Sequence, residues 1–133
     1  ATVYADRLRL CDEYGVRGTR HRVDSRQRQM CMEPVSGKLV DGVLERVEPG
    51  LAKNELVAEI YADAIRGVDD AWGDYPAIVP MLPSGSDASA PHLTWDDRPF
   101  ASGEATFFEL SGCYRRYHAP FCRTVFLGKP PQH

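Results

Sequence analysis

The chain has 133 residues, 43% hydrophobic and 26% charged, with a net charge of −3. That is the size and composition of one globular domain, and it excludes wholesale disorder and a chain built throughout to grip a polyanion. No apolar run in it approaches the ~18 residues of a membrane-spanning helix, so no membrane partner is expected.

Charge is unevenly spread. Residues 1–35 carry seven arginines and five acids, whereas the rest is net negative. Five of those arginines fall in residues 17–28, with Asp24 the one acid among them. Arginine clusters neutralise phosphates, but no interleaved aromatic residue or recognisable nucleic-acid module accompanies this one. A solvated, irregular basic segment over 1–35 is therefore expected, with no nucleic-acid partner, followed by a structured unit over 36–133. The four cysteines, Cys11, Cys31, Cys113 and Cys122, are too few and too irregularly spaced for a disulfide scaffold or a zinc knuckle. They read as reduced thiols in a cytoplasmic protein.

From Gly37 onward the pattern becomes periodic. Leu39, Val43 and Val47 recur at four-residue steps with Val40 and Leu44 beside them, the buried stripe of a helix that ends at Glu48-Pro49-Gly50. Asn54 is placed to cap a second helix, whose rows are Leu56, Ile60, Ala64 and Val57, Tyr61, Ile65, with Gly67 at its C-terminus. Five prolines between Pro76 and Pro99 forbid a long helix there. Residues 77–82 read as a short buried strand. Strand-like runs follow at 104–110, 113–118 and 121–127, with Ser111-Gly112 as a turn. Helices followed by strands give an α+β class: two helices packed on an antiparallel sheet.

Three stretches of this half carry a resemblance: Leu82-Pro-Ser-Gly-Ser-Asp-Ala-Ser-Ala-Pro-His92, Phe107-Phe-Glu-Leu-Ser-Gly-Cys-Tyr-Arg-Arg-Tyr-His118, and Cys122-Arg-Thr-Val-Phe-Leu-Gly128. Together they resemble the creatinase/aminopeptidase P ("pita-bread") family over about residues 38–133, and within it the wording from Phe108 to Thr124 is most similar to ectoine hydrolases. The resemblance implies one half of a pita-bread catalytic domain, a small-molecule substrate (ectoine or hydroxyectoine), and a homodimeric parent. It also implies that the active site lies between two halves, so that this chain alone is a fragment not competent for turnover.

Metal-dependent members place aspartates at two positions that hold Leu110 and Pro120 here. Neither side chain donates an oxygen to a hard cation, so the resemblance implies no metal, no other cofactor and a metal-free mechanism. Hydrolysis of an amidinium needs a group that pairs with the cation, a nucleophile at the carbon between its nitrogens, and a proton shuttle. Glu109 fits the first two roles, since a carboxylate matches two parallel N–H donors. His92 matches the family's loop histidine and is the expected shuttle; His118 is the weaker candidate. Trp95 is expected to wall the pocket through its ring face, with Tyr117 and Arg123 as further substrate-binding residues. The alternative is an inactive Xaa-Pro peptidase relative that survives as a binding or interaction module.

Overall fold

The computed structural model describes residues 33–69 and 72–130. The arginine-rich stretch 17–28, Cys11, Cys31 and most of the basic segment lie outside the described residues. Helix α1 spans Glu33–Arg46, so it opens three residues before the boundary expected at 36. Its four-step row, Leu39, Val43 and Val47, is buried together with Val40, as the periodicity predicts. Gly42 sits where the Arg46 guanidinium folds back onto its carbonyl (2.8 Å) on the way to Asp63 of the second helix (3.0 Å). A Cβ at Gly42 would stand 2.7 Å from that guanidinium, so the glycine leaves room for an interhelical ion pair.

Helix α2 spans Lys53–Arg66 and buries Leu56, Val57, Ile60 and Ala64. Asn54 is not its cap. The N-cap is Ala52, which makes no side-chain capping bond. The helix start is satisfied from elsewhere: the Lys53 N–H donates to the Arg98 carbonyl (3.2 Å), and Ala52 bridges Pro99. A returning loop thus does the capping, which local sequence cannot announce. Gly67 does close the helix, at φ 75°, with its N–H on the Asp63 carbonyl.

Strands β1 (Ala105–Tyr114) and β2 (Tyr117–Phe126) form an antiparallel hairpin in which Glu109 faces Cys122 and Gly112 faces Ala119. The turn expected at Ser111-Gly112 is not there; β1 runs straight through it. The chain reverses at Arg115 and Arg116, both at positive φ (50° and 70°), the two-residue geometry that matches strand twist. Gly112 is a glycine for closeness. A Cβ on it would lie 2.9 Å from Val35 Cγ1 and 3.0 Å from Ser36 Oγ. The fully buried Ser36 hydroxyl accepts from the Gly112 N–H (3.0 Å) and donates to the Ala119 carbonyl (2.5 Å). One side chain of α1 is thereby inserted between two facing strands.

The strand expected over 77–82 is shifted. Its pairing with β1 occurs at Met81, opposite Glu109, and at Ser84, opposite Thr106, while Ala77 turns aside to His118. Strand alternation then sorts the sheet into two faces. Thr106, Phe108, Leu110 and Gly112 of β1 look toward the helices, where Phe108, Leu110, Leu82, Phe100 and Val125 share one core with the helical stripes. Phe107, Glu109, Ser111 and Cys113 occupy the other face. Among the described residues no helix is long and apolar enough to cross a membrane.

Candidate functional site

The open face of the hairpin carries Glu109. Glu109 stands on the central strand, between Met81 of the short flanking segment and Cys122 of β2. Its backbone N–H and carbonyl are both spent on Met81 (2.9 and 3.0 Å). The pairing with Cys122 is therefore of the non-hydrogen-bonded kind, in which facing side chains stand closest. The Glu109 carboxylate is half-buried and has no ion-pair or hydrogen-bond partner among the described residues. Cys122 feels it directly: partial burial first, then the Glu109 charge, push its thiol above the ordinary range, while Arg123 pulls the other way. Pro120 and Thr124 continue this face on β2, both exposed.

At the hairpin end the face is closed. Ser111 and Cys113 are buried, and Ala77 donates its N–H to His118 Nε2 (2.9 Å) while Nδ1 meets the Arg116 carbonyl (3.1 Å). An Nε2 that accepts fixes the proton on Nδ1. His118 is a structural brace with both nitrogens in use. Leu110 is buried in the core on the helix side, away from Pro120; the residue opposite Pro120 is Ser111, with Glu109 next along the same face of β1.

His92 belongs to the loop between residues 84 and 98. The loop's roots are fixed beside β1 by Ser84 Oγ on Thr106 Oγ1 (2.8 Å) and by the Leu82 N–H on the Thr94 carbonyl (3.4 Å). His92 is exposed and sits at φ 60°, a left-handed conformation unusual for a residue with a side chain. Beyond it, Arg98 binds Asp96 through Nε (2.5 Å) and Asp87 through Nη2, and Lys53 of α2 reaches Asp96 (3.2 Å). Burial raises the Asp96 carboxyl, but the hydrogen bonds from Arg98 and Lys53 outweigh it and hold the group below its usual value.

The other three expected site residues are on the helix side of the sheet. Trp95 meets Tyr61 of α2 edge to face, with ring centroids 6.4 Å apart. Tyr117 packs with Tyr114 against Val35 and Ala119. Arg123 faces Phe108, stacks over the Phe121 ring (4.1 Å), and donates to the Cys122 carbonyl (2.7 Å). Glu109 is thus brought beside Met81 and Cys122, which sequence reasoning left out, and not beside Trp95, Tyr117 or Arg123. The register that selects Cys122 follows once the reversal is put at Arg115-Arg116.

Comparison with known proteins gives this arrangement its context. Residues 33–133 match the sequence pattern of "Metallopeptidase family M24". The chain belongs to the M24 family. It is 59% identical over 106 residues to an ectoine hydrolase of Halomonas elongata, covering 73% of this chain and 27% of that protein. It is 34% identical over 99 residues to an uncharacterized hydrolase/peptidase of Sinorhizobium fredii, covering 74% and 25%. The chain therefore spans about a quarter of the length of the curated M24 relatives it matches. Among solved structures, a prolidase from Pyrococcus furiosus superposes with a TM-score of 0.66 at 23% identity, covering 74% of this chain and 28% of that one. An X-Pro aminopeptidase from Thermotoga maritima gives 0.71 at 18%, covering 84% and 30%. At such identities the likeness shows the pita-bread fold, of which this α+β unit is a part.

An M24 chain raises the question of a metal. On the open face the described residues offer one carboxylate, the Cys122 thiol and the Ser111 and Thr124 hydroxyls around Pro120, and among the described residues no three acidic, histidine or cysteine side chains cluster. Hard divalent cations need several oxygen donors. The donor set present does not fit one.

Proposed function

We propose that this chain is a segment of a metal-independent hydrolase that opens the cyclic amidine ectoine to N-acetyl-diaminobutyrate. In this reading Glu109 meets the amidinium, and His92 moves the proton. The likeness to the Halomonas elongata ectoine hydrolase supports the substrate. The observation that carries the site is the half-buried Glu109 carboxylate, which has no counter-ion among the described residues and lies between Met81 and Cys122. A carboxylate in partly apolar surroundings attracts a flat cation more strongly than one in water, and its two oxygens match two N–H donors.

The carbon between the amidinium nitrogens is the electrophile. Addition of oxygen there, from Glu109 itself or from water, and delivery of a proton to the departing ring nitrogen break one C–N bond. The other nitrogen remains as the acetamide. The sum is amidine plus water giving amide plus amine. His92, exposed on a loop and hydrogen-bonded to none of the described residues, is free to exchange that proton.

The test uses the full-length protein that carries this segment. Ectoine consumption and product appearance are followed by NMR, with metal content measured on the same sample. Ring opening without stoichiometric metal is expected. Glu109→Gln, which keeps shape but removes charge, should abolish both binding and turnover. Cleavage of Xaa-Pro dipeptides with no ectoine turnover, or dependence on bound zinc, manganese or cobalt, would overturn the reading; turnover of neither substrate would favour a binding module.

A further inference from the structure

The imidazole of His92 is exposed and makes no hydrogen bond, ion pair or ring contact among the described residues. The residue's Cα–Cβ bond leaves a backbone held in a left-handed conformation. Whatever fixes the loop therefore fixes the point from which the ring swings. On one side of His92 lies the short 3-10 helix Gly85–Ser89, which contains Asp87; on the other lies Asp96. A single guanidinium, that of Arg98, ties the two together, with Nη2 on Asp87 and Nε on Asp96, and the Arg98 backbone N–H adds a second bond to Asp96 (3.1 Å). Asp96 is in turn anchored to α2 by Lys53, whose side chain is only 7% exposed. The clamp thus closes a loop on His92 and moors it to the helix layer.

We infer that Arg98, with Asp87 as its far arm, is a positioning residue that holds His92 in register for proton transfer. This rests on the reading of His92 as the proton shuttle. Arginine suits the task because its planar fork binds two carboxylates at fixed angles, whereas a lysine ammonium is one point charge. The Arg98 and Asp87 ends are solvent-exposed or nearly so, and exposed pairs contribute little to global stability. The clamp therefore acts on geometry. A misplacement of about 1 Å in a reacting group lowers rate by up to about 100-fold.

The experiment is a double-mutant cycle on ectoine turnover in the full-length enzyme, with melting temperature recorded for every variant. His92→Ala alone should lower kcat by about 10²–10⁴-fold. Arg98→Ala and Asp87→Asn should each lower kcat by about 10–100-fold with KM and melting temperature unchanged. Arg98→Lys should recover only part of the loss. In the His92→Ala background both clamp substitutions should have no further effect, because the group they position is gone. If His92→Ala is damaging but the clamp variants are silent, or their effects multiply with it, the positioning role is refuted while the shuttle stands. If His92→Ala is itself silent, the shuttle fails and the clamp's role falls with it. Should Arg98→Ala not fold, Asp87→Asn decides, since it takes the charge from the far arm and leaves Lys53, Asp96 and Arg98 joined.

Discussion

Substitution of Gly112 by alanine tests how the helix layer grips the hairpin. In isolation the change should help, because glycine inside a strand is worse than alanine by roughly 0.5–1 kcal/mol. Here the added methyl would lie 2.9 Å from Val35 Cγ1, 3.0 Å from Ser36 Oγ and 3.3 Å from the Ser36 backbone nitrogen. None of the three gives way easily. A valine in a helix is held to one rotamer, the Ser36 hydroxyl is fixed by two hydrogen bonds, and the third atom is main chain. Overpacking of this kind costs about 1–3 kcal/mol. Displacing Ser36 would also take its buried hydroxyl away from the Gly112 N–H and the Ala119 carbonyl, at about 1–3 kcal/mol for a buried group. The clash outweighs the propensity gain, for a net loss of about 2 kcal/mol. Amide exchange across the hairpin reads this locally: protection should fall by about 30-fold. In a Ser36→Ala background the oxygen contact is absent, so the second substitution should do less harm than alone. Unchanged or increased protection in Gly112→Ala would refute the close approach.

The remaining expectations are simpler. Asp96 titrates below its usual value, so its contribution to the loop is complete at neutral pH and is lost only as pH falls below about 4, through the depressed folded value. Emission from Trp95 in a Trp72→Phe background should be flat from about pH 7 to about 4 and change below that. Cys122, with its thiol raised by burial and by Glu109, should alkylate slowly at pH 7, and Glu109→Gln should speed it; buried Cys113 should stay protected, with peptide mapping distinguishing the two. An equal Cys122 rate in both backgrounds would separate the residues. Arg115→Asn should stabilise the hairpin by roughly 1 kcal/mol, since asparagine tolerates the positive φ at which Arg115 is held, as amide exchange would report.

Periodicity carried the helices. Leu39, Val43 and Val47, and Leu56, Ile60 and Ala64, are the buried rows because a helix repeats its apolar contacts over a few residues and so writes them into local sequence. The hairpin reversal was illegible for a physical reason. Ser111-Gly112 has turn chemistry, yet its glycine serves an α1 contact some seventy-six residues away in sequence, while the true reversal uses two arginines. Arg116 is held there by Asp74 (2.9 Å) and by the Tyr75 ring (4.0 Å), long-range partners that override turn propensity. The same error hid the site's composition. Glu109's place on a partly covered face was readable from its apolar neighbours, but which β2 residues accompany it depends on register. With the reversal at Arg115-Arg116, Cys122 joins Glu109 and Arg123 goes to the helix side. The cap at Ala52 was likewise out of reach, being supplied by Arg98 and Pro99.

Pro120 has a consequence for the sheet's perimeter. Because Glu109 points its backbone groups toward Met81, those of Ser111 point the same way, and the position facing Ser111 directs its own backbone outward, away from β1. Proline is there without loss to the hairpin, since the N–H it lacks would have pointed off the outer margin. That margin carries no strand among the described residues, and it is a margin with a missing donor in mid-strand. An incoming chain can zip along it on either side of Pro120 but not through it. The residue that takes an oxygen away from one face thus also blunts the opposite rim against edge-to-edge aggregation.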